Sequence, residues 1–135
     1  MTKKNYILLG ATAFILLGVI ILILLNKQND NWIKDILNTN YDIYYLNCDN
    51  DENKLDKEVL NKIETYWKEL SNNGPWTGNN DICYETISIR YDNNNVVQKI
   101  EIKIIDNGSI VLTTNNGSTY YNHANNLITY LRSFK

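Results

Sequence analysis

The chain opens with one uninterrupted apolar run and then changes to periodic patterning for the rest of its length. The run is Tyr6 to Leu25, YILLGATAFILLGVIILILL, twenty residues without a charge. At about 1.5 Å rise per residue it predicts a helix of roughly 30 Å, the thickness of a bilayer's hydrocarbon core. In hydrocarbon, a single segment pairs all its backbone groups only as a helix. A cleaved secretory signal fits less well. The run exceeds a signal core of about 7–15 residues, and Leu22-Ile23-Leu24-Leu25-Asn26 lacks a small-x-small cleavage pattern. The expectation is a retained single-pass transmembrane helix over 6–25. It follows a cytoplasmic tail, 1–5, carrying Lys3 and Lys4, and precedes a juxtamembrane linker or short helix, 26–38. Flanking charge places the remaining domain, 39–135, outside the cytoplasm at the cell membrane.

Beyond residue 38 the period changes. Tyr41–Asn47 reads as a strand by its aromatic and branched residues. Lys54–Leu70 is the clearest helix: Leu55, Val59, Ile63, Trp67 and Leu70 fall on one stripe. Asn53 is its expected cap, and Asn73-Gly74-Pro75 its stop. Ile82–Tyr91 and Val96–Ile105 alternate, with Asp92–Asn95 joining them as a hairpin. Asn107-Gly108 is the dipeptide that type I′ turns favour, because both central residues need positive φ. It leads into a strand over Ser109–Thr113. Tyr120–Phe134 returns to helical spacing through Tyr120, Ala124, Leu127, Leu131 and Phe134, with Asn122 or Ser118 as cap. The order β-α-β-β-β-α predicts an α+β fold after the membrane helix. It is a small two-layer domain, an antiparallel sheet with two helices packed on one face. The other face should show Lys99, Glu101, Lys103, Glu85 and Arg90 to water.

Charge narrows the partners. From residue 30 onward ten basic residues stand against fifteen acidic ones, a net charge of about −5. That sign disfavours nucleic acid, and no basic cluster overrides it. Asparagine pairs, with the triplet Asn93-Asn94-Asn95, fall between the periodic segments, where Asn tolerates left-handed backbone and makes turns. The two cysteines, Cys48 and Cys83, have no further Cys or His nearby, so their spacing is not a zinc pattern. They form either a disulfide, which an oxidising compartment permits, or two half-buried thiols.

Candidate chemistry is sparse. Asp49-Asn50-Asp51-Glu52-Asn53 has the acidity of a calcium loop, but Lys54 and Leu60 stand where an EF-hand needs Gly and Glu. His123 is the only histidine, and no nucleophile lies beside it in sequence to form a catalytic pair. No cofactor or metal is implied. Trp76 sits in the loop Gly74-Pro75-Trp76-Thr77-Gly78, as a binding residue or as a plug folded back on the sheet. Tyr44 and Tyr45 are the other candidate contacts. The element order resembles small ectodomains of anchored proteins and lipoproteins in low-GC Gram-positive bacteria. The likeness covers the second half at pattern level and carries no site motif. The functional expectation is a non-enzymatic extracytoplasmic module with a protein partner in a membrane or cell-envelope complex. The alternatives are envelope-glycan binding through Tyr44, Tyr45 and Trp76, a hydrolase, or a subunit of a viral membrane-protein complex.

Overall fold

A computed structural model of the chain describes the backbone of residues 3–29 and 32–135, and the side chains of these except 4, 5, 8, 9 and 23–29. The chain divides into two compact units between Trp32 and Ile33. The first unit contains helix α1, Lys3–Asn29. Among the described residues, no helix is long and apolar enough to cross a membrane. The expected transmembrane helix over 6–25 is corrected accordingly. The single-pass anchor, the cytoplasmic N-terminus and the extracytoplasmic placement at the cell membrane fall with it.

The rest of the chain is a small α+β domain. Helix α2, Trp32–Leu37, buries Ile33 and Ile36. Then come β1 (Tyr41–Leu46), β2 (Glu52–Leu55), α3 (Glu58–Trp67), β3 (Ser71–Pro75), β4 (Thr86–Asn93), β5 (Val96–Ile104), β6 (Ile110–Thr114), β7 (Gly117–Asn122) and α4 (Asn125–Arg132). The strands form one antiparallel sheet in the order β2-β1-β4-β5-β6-β7-β3. Strand alternation decides what each face carries. On one face Ile43, Ile89 and Ile100 form a cross-strand row, and Tyr45, Ile87, Ile102 and Leu112 form the next. All are buried, as are Val59, Leu60, Ile63 and Trp67 of α3 and Leu127, Ile128 and Leu131 of α4. Trp67 meets Tyr121 of β7 edge-on at 5.0 Å, and Tyr66 meets Tyr130 of α4 at 5.4 Å.

Four strands are expected from the sequence, and seven form. β2 (ENKL) and β3 (SNNGP) are the two edges of the sheet and are mostly exposed. Edge strands pair on one side only and carry charge, Gly or Pro to stop further pairing, so neither shows an apolar period. β2 also displaces the start of the helix. Asn53 is in the strand, α3 begins at Glu58, and Asp56 Oδ1 accepts the Glu58 N–H at 2.9 Å. The expected helix from Tyr120 starts at Asn125 instead, after an extended β7. Its spacing misleads because Tyr121, not Tyr120, is the core residue.

The turns also differ from expectation. Positive φ falls at Asn94 (51°) and Asn95 (66°), between the paired residues Asn93 and Val96, so the type I′ signature belongs to the β4–β5 hairpin. Asn107-Gly108 lies in a wider loop, where Asp106 Oδ1 accepts the Gly108 N–H at 2.8 Å and Ile105 N–H donates to Ser109 O at 3.0 Å. Gly108 O then accepts the Ala124 N–H, tying that loop to the start of α4. The acidic loop of 47–51 is a hairpin bend: Asn47 Oδ1 accepts the N–H groups of Asp49 and Asp51 at 2.9 and 3.1 Å.

Candidate functional site

Helices α3 and α4 pack on one face of the sheet, and the other face, free of both, is the helix-free face. Cross-strand register builds that second face from two central rows. One is Lys54, Tyr44, Ser88, Glu101, Thr113 and Ser118. The other is Glu52, Leu46, Thr86, Lys103, Val111 and Tyr120. The face has two halves with different chemistry.

The half on β2, β1 and β4 is a set of paired charges around an aromatic ring. Arg90 donates to both oxygens of Glu52, at 3.0 and 2.8 Å, and lays its guanidinium 4.3 Å from the Tyr44 ring centroid. The bond from Glu52 raises the Arg90 pKa further. Lys54 reaches Asp42 at 2.8 Å, and Lys99 reaches Glu101 at 2.9 Å. The hydrogen bond from Lys54 holds the Asp42 carboxyl below its usual range. The rings and the guanidinium therefore stand on a surface whose charges cancel locally.

The other half is crossed by a strap, residues 76–85, which joins β3 to β4. Those strands are four positions apart in the sheet, about 19 Å at the usual strand spacing of about 4.8 Å. Trp76 N–H donates to Ser118 O of β7 at 3.0 Å. Its ring meets Tyr84 edge-on at 6.1 Å, and Lys103 Nζ lies 5.9 Å from its centroid. Lys103 belongs to β5 and projects from the helix-free face, so the indole lies over that face. There Val111 is 0 % exposed and Thr86 is buried, although α3 and α4 lie on the other side of the sheet. Gly78 packs against the indole so closely that a Cβ there would overlap the Trp76 ring. The far end of the strap is bonded to β1's trailing loop. Cys48 and Cys83 form a disulfide with Cα atoms 5.8 Å apart, and both residues are exposed.

The structure separates the residues proposed from sequence. Tyr44 and Trp76 share the helix-free face, half-buried. Tyr45 is on the opposite face, 1 % exposed, with its hydroxyl donating to Glu85 Oε2 at 3.1 Å. Tyr44, Tyr45 and Trp76 thus cannot form one platform of stacked rings. Glu85 also leaves the face expected for it. It sits on the helix side, where it takes Arg132 Nε–H and Lys135 Nζ–H, each at 3.2 Å.

One pair was invisible in the sequence. Ser71 Oγ lies 2.9 Å from His123 Nδ1, across 52 residues. It arises because β3 and β7 pair, placing Ser71 opposite Asn122. A serine nucleophile needs a histidine base that a third group orients. Among the described residues no carboxylate bonds this imidazole, and His123 has the positive φ (57°) of a turn residue between β7 and α4. The pair closes that turn. Among the described residues no group of three His, Cys, Asp or Glu gathers to hold a metal ion.

Fold and site together define an α+β sandwich whose open face is half charge-paired and half covered by a disulfide-bonded strap. No protein-family model matches the chain, and neither a curated protein nor a solved structure matches it.

Proposed function

We propose that the α+β domain is a non-catalytic module that binds another protein, or assembles with it, through the helix-free face of its sheet. The observation that carries this reading is the placement of Trp76, Tyr84, Tyr44 and Arg90 there, half-exposed, on a rigid sheet and its strap. Trp, Tyr and Arg are the side chains that dominate protein interfaces, and they are surrounded here by paired polar groups of the kind found at a rim. The ring faces argue for a protein rather than a sugar. Arg90 occupies the Tyr44 face and Lys103 the Trp76 face, so neither offers an open platform. Because the ion pairs of the face cancel locally, the partner surface carries little net charge, and association depends weakly on salt.

The test is capture of the native partner by crosslinking with the full-length chain as bait. Trp76→Ala should weaken capture by about 30-fold, the effect of truncating a central tryptophan. The far-UV spectrum should be unchanged. Undiminished capture by a folded Trp76→Ala, Tyr44→Ala double variant would sink this choice of surface.

A further inference from the structure

We infer that the Cys48–Cys83 disulfide is a redox-addressable clasp that decides whether the Trp76 indole stays on the sheet. The inference rests on the reading of Trp76 as a contact residue and adds a means of regulating it. It follows from what holds the strap. At one end Trp76 N–H bonds to Ser118 O. At the other, Ile104 N–H donates to Glu85 O at 2.9 Å, and the Thr86 hydroxyl donates to Tyr84 O at 2.9 Å. Between them, hydrogen bonds stay within the strap. Asp81 N–H donates to Asn79 Oδ1 at 2.8 Å, and Tyr84 O–H to Asn79 O at 3.5 Å. Among the described residues, 77–83 make no hydrogen bond to the sheet. Apart from the backbone at their ends, their one covalent tie is the bond from Cys83 to Cys48 in the loop that follows β1.

That bond is open to exchange, since both cysteines are exposed. The co-reactant is a dithiol. One of its thiolates attacks Cys83 Sγ, and the Cys83–Cys48 bond breaks as Cys48 leaves with the electron pair. The second thiol of the reductant then attacks the mixed disulfide and releases Cys83. The dithiol becomes a disulfide, two electrons pass to the protein, and Cys48 and Cys83 each end with a proton. With the clasp open, the Trp76 backbone keeps its bond to Ser118 O, but only ring contacts hold the indole against Tyr84 and Lys103, and segments with few hydrogen bonds are the first to open.

The full-length chain labelled with fluorotryptophan tests this. It gives separate signals for Trp32, Trp67 and Trp76, the last assigned through Trp76→Phe. Reduction with dithiothreitol should move the Trp76 signal toward that of free indole and leave Trp67 in place. Amides of 77–83 should exchange about tenfold faster. A Cys48→Ser, Cys83→Ser variant should show the same state without reductant. A Trp76 signal that stays put after alkylation proves full reduction overturns the inference. So does a Trp67 signal that moves with it, because the disulfide is then a brace for the whole fold. The contact reading is tested apart: if Trp76 is released on reduction but Trp76→Ala still captures the partner, the clasp stands and the contact assignment falls.

Discussion

Replacing Glu85 with Gln should loosen α4 from the sheet without opening any hole in the core. Glu85 ties three elements together: Tyr45 of β1, Arg132 at the end of α4, and Lys135 beyond it. The bond from Tyr45 is the one most shielded from water, and a hydrogen bond to a charged group contributes about 1.5–3 kcal/mol. The Arg132 and Lys135 side chains are 38 % and 65 % exposed. Screening limits each of those pairs to about 0.5 kcal/mol. Glutamine keeps the shape and one acceptor, so the expected loss is about 2 kcal/mol. For a domain of about 100 residues that lowers Tm by about 8–16 °C. The pH dependence gives a second, independent check. Burial pushes the Glu85 carboxyl up, but hydrogen bonds from Lys135, Arg132 and Tyr45 outweigh it and hold the pKa below its ordinary 4.5. A depressed carboxyl stabilises the fold above its unfolded pKa and loses that contribution as pH falls through the folded value. The gap between wild type and Glu85→Gln should therefore shrink from pH 7 to pH 3 in thermal unfolding followed by circular dichroism. Tyr45 has the opposite sign. Burial, reinforced by Glu85, pushes its phenol up to about 12, so its contribution is complete below pH 10.0 and is lost as pH rises from there through about 12. A gap under about 1 kcal/mol at pH 7, or one unchanged at pH 3, would refute the reasoning.

Two further substitutions probe the hairpin and the strap. Asn95→Val should cost about 1–2 kcal/mol, because a branched residue at φ 66° is strained, whereas Asn95→Gly should be neutral or stabilising in urea unfolding. Gly78→Ala should push the Trp76 indole off its present position, since the added Cβ overlaps the ring; the expected readout is a changed Trp76 fluorescence with a Tm within about 4 °C of wild type.

The parts of the fold that could be read in advance are those whose burial is one-sided. Ile100, Ile102 and Ile104 alternate with Glu101 and Lys103 because one face of β5 meets the helices and the other does not. The same holds for the α3 stripe of Val59, Ile63 and Trp67. β2 and β3 could not be read that way, since their stability comes from backbone pairing at an edge and little side-chain burial. β7 failed for a different reason. GSTYYN carries adjacent tyrosines, and the sequence does not say which of them is inward; choosing Tyr120 creates a helical period that choosing Tyr121 destroys. The Asn107-Gly108 expectation rested on turn chemistry alone. The pairing register of β5 with β6, from Ile104 to Ile110, leaves five residues to connect, more than a two-residue turn can use.

The site was less legible because it depends on long-range topology. A tryptophan between Pro75 and Gly78 suggested either a contact or a plug folded back on the sheet. The indole rests on Lys103 and Tyr84, and the residue remains half-exposed. What decides its position is that β3 lies at the far edge of the sheet while β4 lies near the middle, so ten residues must cross the uncovered face. A two-layer sandwich leaves one sheet face without a helix. Val111 is fully buried on that face, paired with Lys103, over which the indole lies. The strap lies on that half of the face with an aromatic pair and one disulfide, and it makes few hydrogen bonds of its own. A cover held in this way is easier to displace than a packed helix. The aromatic residues of that cover are thus also the ones that the proposed contact surface uses.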